Sequence, residues 1–268
     1  MNRLRLSSLV MFAALAAPSV HAQDALATIK AAEYALGMIR GPQRIDAINT
    51  MEVWATGTRA AGGPPVAINY HASYSYRTPA MRIDVSPTGG TRQIEVINGD
   101  FSWNESVPGG GFIPGSTATP LPATLAERSL QMWTTPHGVL KAAERAAVAN
   151  KGDAKVSKEG GMTVVSFPLT APLTGISVKM TLNAKSEVEK VEATGTNAAL
   201  GNVNMETTYA GYKDLGEIAT DVMFPARIVQ KRGGATVLTL NVSKVDANNP
   251  YVVFPVPDVV EKAPKAAR

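Results

Sequence analysis

Strict alternation of apolar and polar side chains between residues 201 and 245 is the feature that most constrains the fold. The apolar positions of this stretch lie at even spacings: Val203, Met205, Tyr209, Leu238, Leu240 and Val242. Side chains spaced in this way lie on one face of an extended strand. The Gly233-Gly234 pair between them supplies the positive φ that a tight hairpin requires. The stretch therefore predicts an antiparallel meander.

Similar patterns upstream predict more strands of the same sheet. We expect them at residues 45–57, 66–77, 81–85, 92–97, 101–104, 162–167, 176–182 and 187–194. The clearest is 66–77, where Tyr70, Tyr74 and Tyr76 share one face. The other face of this strand is polar, and we expect it to face solvent.

Three segments have helical patterns. Asp24 is suited to cap a helix that Gly41-Pro42 ends, and two further helices are expected at 123–133 and 136–149. Before the second helix, residues 107–122 are rich in Gly and Pro, which predicts a long loop. Long loops inside compact domains often serve as lids, so this loop is the candidate gate of a binding site.

The N-terminus resembles an export signal. Arg3 and Arg5 precede a short apolar run, and small residues follow up to Ala22, so we predict a signal peptide over 1–22 that is cleaved after Ala22. The run is too short to span a bilayer, which needs about 20 apolar residues. We therefore predict a periplasmic protein with one domain over 23–260 and a disordered, charged tail over 261–268.

Composition excludes several classes of function. The chain has no cysteine, which excludes disulfides, thiolate metal sites, cysteine nucleophiles and a lipid attached to cysteine. Without Arg3 and Arg5 the chain has 26 − 2 = 24 basic side chains against 22 acidic ones. An excess of two, without a run of like charges, gives no reason to expect nucleic acid as a partner.

The order of elements predicts an α+β fold. It consists of a large, curved antiparallel sheet, an open half-barrel, whose concave face is covered by the N-terminal helix and the helical insertion at 123–149. Residues 252–257 are extended and contain prolines, and we expect them to form an edge or a strap over the sheet.

Three motifs carry a resemblance to a known family. They are Tyr209-Ala210-Gly211-Tyr212-Lys213-Asp214, Met223-Phe224-Pro225-Ala226-Arg227-Ile228 and Trp133-Thr134-Thr135-Pro136-His137-Gly138. Together with the element order, they resemble the periplasmic lipoprotein-carrier superfamily of LolA and LolB-like proteins. They are also similar to the domain that precedes some exported metallo-β-lactamase-fold hydrolases. The His-x-His-x-Asp-His metal motif of those hydrolases is absent, so their activity is not implied.

Catalytic motifs are missing. There is no Gly-x-Ser-x-Gly, Ser-x-x-Lys or His-Glu-x-x-His sequence, and we predict no cofactor, no metal and no enzymatic activity. Outside the signal peptide, His71 and His137 are the histidines of the chain. We interpret His71 as a solvated residue of a polar strand face, and His137 as a neutral residue in the first turn of a helix.

Aromatic and methionine side chains are the candidate ligand contacts, because they adapt to acyl chains. The predicted ligand-binding residues are Trp54, Tyr70, Tyr74, Tyr76, Phe101, Trp103, Phe112, Met132, Trp133 and Met180. The alternative interpretation is that they fill a core.

The function that follows is an exported binding or carrier protein for a lipid, an acyl chain or another hydrophobic molecule. A second hypothesis is an interaction module, or accessory subunit, for an exported partner protein. A third is a hydrolase that uses Asp, Glu or Tyr side chains.

Overall fold

The computed structural model describes residues 21–40, 45–60, 62–149 and 153–265. The predicted signal peptide lies outside the described residues, apart from His21 and Ala22, so its cleavage stays a prediction. Within the described residues, no helix is both long and apolar enough to cross a membrane.

The helices of the described residues are α1 (His21–Ala35), α2 (Leu125–Trp133), α3 (Pro136–Ala149) and the single turn α4 (Asp258–Glu261). A 3-10 turn, Pro122–Thr124, leads into α2. The strands before α2 are β1 (Ile39–Arg40), β2 (Ile45–Asp46), β3 (Thr50–Arg59), β4 (Val66–Ser75), β5 (Ala80–Pro87), β6 (Gln93–Asn98), β7 (Phe101–Glu105) and β8 (Ala118–Pro120). Those after α3 are β9 (Lys155–Glu159), β10 (Met162–Pro168), β11 (Ile176–Leu182), β12 (Val188–Asn197), β13 (Gly201–Asp214), β14 (Met223–Arg232) and β15 (Ala235–Ala247).

One antiparallel sheet of 13 strands forms the body of the molecule, in the order β8-β7-β6-β5-β4-β3-β15-β14-β13-β12-β11-β10-β9. Its first and last strands, β8 and β9, do not pair with each other in the described part of the chain, so the sheet is an open half-barrel. The predicted α+β half-barrel is confirmed. Nearly every strand pairs with its neighbour in sequence, as in a meander, but β15 returns to pair with β3.

The pairing of β3 with β15 depends on Gly57. A Cβ atom at this position would lie 1.8 Å from the backbone oxygen of Thr239. Real Cβ atoms do not approach an oxygen so closely, so any other residue would push the two strands apart. The glycine thus permits the contact that joins the two halves of the sheet.

The main core lies on the concave face, between the sheet and α1, α2 and α3. Alternate strand residues such as Met51, Met180 and Leu240 point into it. Ile29 and Leu36, from α1 and the turn that follows it, pack against the same core. The N-terminal helix and the helical insertion therefore cover the concave face, as predicted.

A second, smaller core lies on the convex face, under the C-terminal segment. Phe254 and Val260 pack there against Trp103, Ile94 and Ala80. The Asn98 side-chain amide also donates a 2.7 Å hydrogen bond to the Phe254 carbonyl. Residues 252–257 thus form the predicted strap.

The convex face is less exposed than the strand pattern predicts. Ser73 and Ser75, on the expected solvent face of β4, are buried. Ser73 donates a hydrogen bond to Glu52, and Asn249 donates one to the other oxygen of the same carboxylate. The segment after β15 therefore covers polar side chains that the sequence alternation predicts to be exposed to solvent.

The C-terminal residues continue from the strap. Lys262 donates a hydrogen bond to Asp258, and the Lys265 ammonium lies 4.8 Å from the centroid of the Phe101 ring. Residues 266–268 lie outside the described residues, and the disorder of the tail stays a prediction.

Candidate functional site

A cavity of about 290 Å³ lies between the concave face and α2. Its floor consists of adjacent strands, from β6 through β5, β4, β3, β15 and β14 to β13. The apolar and aromatic lining residues are Val53, Ala60, Tyr70, Tyr74, Ile83, Val85, Pro136, Tyr209, Phe224, Ile228, Val237, Leu238 and Leu240. This volume is at the lower end of the range of small-molecule sites, which is about 300 to 1,000 Å³.

The strand alternation explains why apolar side chains converge here. Ile228 of β14 is directly opposite Leu240 of β15, and their side chains share the concave face. Ile83 and Val85 occupy alternate positions on β5 and therefore face the same way. The lining is thus the unfilled part of the concave core.

Helix α2 forms the roof with one of its faces. Glu127, Gln131 and Thr134 line the cavity and are spaced by four and three residues, which places them on one side of a helix. Ala126 and Leu130 lie on another side of the same helix and are buried in the core. The amphipathic pattern of α2 thus directs polar groups towards the cavity.

The inner end of the cavity is closed by hydrogen bonds from tyrosines. The Tyr209 phenol donates to the backbone oxygen of Thr134, and Tyr76 and Thr135 share a 3.2 Å hydrogen bond. Tyr70 and Tyr74 share another, also of 3.2 Å. Burial raises the pKa of Tyr70 to about 12 and that of Tyr74 well above its usual value, so these phenols are neutral.

The outer end is polar. Its lining residues are Arg59, Glu95, Glu127, Gln131, Gln230 and Arg232, and we refer to them as the mouth. Arg232 of β14 forms a 2.8 Å ion pair with Glu127 of α2, in which both side chains are more than 40% exposed. The Arg59 guanidinium approaches Glu95 at 3.3 Å and the side-chain oxygen of Gln93 at 3.4 Å. The cavity therefore combines an apolar interior with a charged entrance.

Arg128 stabilises the sheet behind the mouth. One of its nitrogens donates to the backbone oxygens of Val96 and Trp103 at 3.2 and 2.6 Å, and the other donates to Asn104 at 2.5 Å. Its Nε lies 3.8 Å from Glu95. Burial lowers the pKa of Arg128, and the charge of Glu95 partly offsets that effect.

Of the predicted ligand contacts, Tyr70 and Tyr74 line the cavity. Tyr76 lies behind them, bonded to the lining residue Thr135. Met132 and Met180 are completely buried in the main core and do not reach the cavity.

The remaining predicted contacts also lie outside the cavity. Trp133 packs at the edge of the main core, with the Arg145 guanidinium 4.5 Å above its ring. Trp103 and Phe101 belong to the small core under the strap, and Phe112 is 52% exposed. Trp54 is on the convex face, where it stacks on His71 at 4.6 Å.

Most of the lining residues are not among the predicted ligand contacts. Phe224, Ile228 and Arg232 belong to the predicted meander, whereas the predicted contacts are aromatic and methionine residues that come earlier in the chain. Alternation along β14 is the signal that identifies them, since Ile228, Gln230 and Arg232 occupy every second position.

The loop at residues 107–122 does not contribute to the cavity wall. It abuts the strap instead, because a Cβ atom at Gly111 would lie 2.9 Å from the Cβ of Pro257. Its end forms the edge strand β8, which tolerates Pro120. The elements that border the mouth are α2, β14, β6 and the end of β3.

Neither His71 nor His137 forms a catalytic pair with another described residue. His137 is completely buried and stacks on Phe224 at 5.7 Å, and burial, together with the nearby charge of Lys141, lowers its pKa to about 3. It is neutral as predicted, but through burial rather than through the helix dipole. His71 lies 3.1 Å from Glu52, whereas Ser73 donates to Glu52 and not to the imidazole. Among the described residues, no group of three or more His, Cys, Asp or Glu is placed to hold a metal ion.

No protein-family model and no curated protein matches the chain. Solved structures do match. A LolA superfamily protein from Nitrosomonas europaea is 17% identical, with a TM-score of 0.48, and the match covers 86% of this chain and 95% of that one.

Two further structures are similar. A domain from Vibrio parahaemolyticus, described as an outer membrane lipoprotein-sorting protein domain, is 11% identical with a TM-score of 0.50, and the match covers 85% of this chain and 94% of that one. A DUF1329 family protein from Desulfovibrio piger is 5% identical with a TM-score of 0.51, over 85% of this chain and 93% of that one. At such low identities the similarity concerns the fold alone. The open 13-stranded sheet with its helical cover is consistent with that similarity. The chain therefore has a fold similar to that of the lipoprotein-sorting domain from Vibrio parahaemolyticus, in agreement with the half-barrel that its sequence motifs predicted.

Proposed function

We propose that this protein is an exported, periplasmic carrier that binds a hydrophobic molecule in the cavity under α2 and performs no chemistry on it. The observation that carries the proposal is the cavity itself, which is apolar inside and polar at one end. The fold supports it, since one of the similar structures is described as a lipoprotein-sorting domain.

The energetics of such binding are adequate. Burying about ten methylenes at ~0.8 kcal/mol each gives ~8 kcal/mol, which corresponds to a Kd of about 1 μM before ordering costs are subtracted. A carrier must release its ligand, and binding of this strength is reversible. The neutral tyrosines at the inner end offer no charge that would oppose an alkyl chain.

Native mass spectrometry of delipidated protein mixed with a bacterial lipid extract tests the proposal. We expect a bound mass and a gain in thermal stability. Ile228→Trp fills the cavity and is expected to abolish both effects.

Val229→Trp is the matched control, because it places the same side chain on the opposite face of the same strand. It should bind as the wild type does. Equal binding by the two variants, or no binding by the wild type, contradicts a cavity-based carrier.

A partner protein is the second candidate, and a patch of exposed apolar side chains favours it. Phe112 and Ile113 on the 107–122 loop, and Val253 and Val259 on the C-terminal segment, are each about half exposed. The loop and the segment meet at Gly111 and Pro257. Capture of one stoichiometric protein from periplasm, lost in Phe112→Ser, is the expected result, and capture that is unchanged by this substitution argues against the patch.

A further inference from the structure

The size of the cavity limits the ligand. A water molecule occupies about 30 Å³ of liquid, and a methylene is of similar size, so a cavity of about 290 Å³ holds about ten such groups. That is one alkyl chain of medium length. A second chain of the same length has no room beside it.

Two of the contacts between α2 and the sheet lie at the two ends of the cavity. At the inner end the Tyr209 phenol is bonded to the backbone of Thr134. At the mouth the Arg232–Glu127 ion pair joins β14 to α2. Admitting a second chain requires both contacts to break, whereas one chain fits between them.

The charges do not balance when Arg128, behind the mouth, is counted together with the charged residues of the mouth. Glu127 is paired with Arg232, but Glu95 is approached by both Arg59 and Arg128. Two guanidinium groups at the mouth and one behind it are therefore set against two carboxylates, and one positive charge remains. A low-dielectric apolar cavity next to this charge favours an anion at its entrance.

Arg59 is the guanidinium that has capacity for an anion. Arg128 is buried and donates to backbone oxygens of β6 and β7, so it is fixed in place. Arg232 makes a 2.8 Å bond to Glu127. The two contacts of Arg59 are long, at 3.3 and 3.4 Å, and its side chain is 31% exposed.

We propose that the ligand is a single-chain amphiphile with one anionic head group, such as a carboxylate with about ten carbons. Its chain lies in the cavity and its head pairs with Arg59. This inference rests on the proposed carrier function and specifies the class of molecule carried.

Calorimetric titration of the delipidated full chain with saturated carboxylates of 6 to 16 carbons tests the size argument. We expect the Kd to fall about fourfold per added methylene up to about ten carbons and to stay level beyond that. Diacyl phosphatidylglycerol is expected not to bind. A Kd that keeps falling to 16 carbons, or tighter binding of the diacyl lipid, overturns the single-chain assignment but leaves the carrier function intact. If no amphiphile binds, both the single-chain assignment and the proposed carrier function are wrong.

The head group is tested with decanoate, decanol, decyl sulfate and a decanoyl lysophosphatidylglycerol. Decanoate and decyl sulfate are expected to bind more tightly than decanol, and the lysophospholipid shows whether the natural source is a free acid or a lipid head group. Arg59→Gln should weaken decanoate binding about tenfold and leave decanol unchanged. Arg59→Lys, which keeps the charge, should restore most of the binding.

Arg227→Gln is the matched control, since it removes a guanidinium from an exposed position of β14 that is not part of the mouth. It should leave decanoate binding unchanged. If Arg59→Gln binds decanoate as the wild type does, or if both variants weaken binding equally, the assignment of the head group to Arg59 is wrong.

Discussion

The phenol of Tyr209, in the middle of β13, donates its hydrogen bond to the backbone oxygen of Thr134, the residue that follows α2. Both residues line the cavity. The bond connects the sheet to the helical cover and satisfies a carbonyl at a helix C-terminus, where α-helices leave such groups without a partner. At the inner end of the cavity, this bond and the one between Tyr76 and Thr135 thus connect the sheet to the end of α2.

Tyr209→Phe removes this hydrogen bond while keeping the ring. Because the Thr134 carbonyl loses its donor, we expect the free energy of unfolding to fall by about 1 to 2 kcal/mol. Faster hydrogen exchange should be confined to the backbone amides of α2 and the turn after it. Tyr212→Phe is the control, since its phenol donates to the Val188 carbonyl within the sheet. If exchange in α2 rises equally in both variants, the Tyr209 bond has no special role.

The buried imidazole of His137 makes the protein sensitive to acid. Its pKa is about 3 in the folded state and about 6.5 in the unfolded chain, so between these values the unfolded state binds the additional proton. Protonation therefore favours unfolding, and His137 lowers the free energy of unfolding by up to ~1.4 kcal/mol for each pH unit below about 6.5. His137→Gln should show a shallower decline between pH 6 and pH 4. Denaturant titrations across this range measure the slope, and identical slopes in the two proteins contradict the prediction.

The strap is held to the sheet by Phe254. This side chain is 6% exposed, whereas its neighbour Val253 is 60% exposed. Truncating a buried phenylalanine costs about 3 to 5 kcal/mol, so Phe254→Ala should destabilise the protein strongly and expose Trp103 to solvent, which shifts its fluorescence to the red. Val253→Ala should change the free energy of unfolding by less than about 0.5 kcal/mol. If Phe254→Ala changes the free energy of unfolding as little as Val253→Ala does, the strap contributes little to stability.

Local pattern predicted the sheet well because alternation reports directly on strand structure. The strand 176–182 and the helix 136–149 occur at the predicted bounds, since each has an unbroken period of its own. The short strands β1, β8 and β9 were not predicted. β1 and β8 have two and three residues, too few to show a period, and β9 has a single apolar residue, Val156.

The site was harder to predict, because local pattern does not tell which face of a strand is concave when both carry apolar residues. Val53 and Trp54 are adjacent, and the smaller one lines the cavity. Trp103 was expected at the ligand, but it packs under Phe254, which is far away in sequence. Arg59 and Glu95 are 36 positions apart in sequence, and only the sheet brings them to the same mouth.

The pairing of β15 with β3 also determines when the cavity can form. Ser243 and Trp54, which are in contact across this seam, are 189 positions apart. The cavity wall contains residues from both sides of the seam, including Tyr70 and Thr207. Without β15, the strands from β8 to β3 and those from β14 to β9 have no pairing between them, and the cavity wall is interrupted. The cavity can therefore form only after β15, the last strand of the sheet in sequence, has paired with β3.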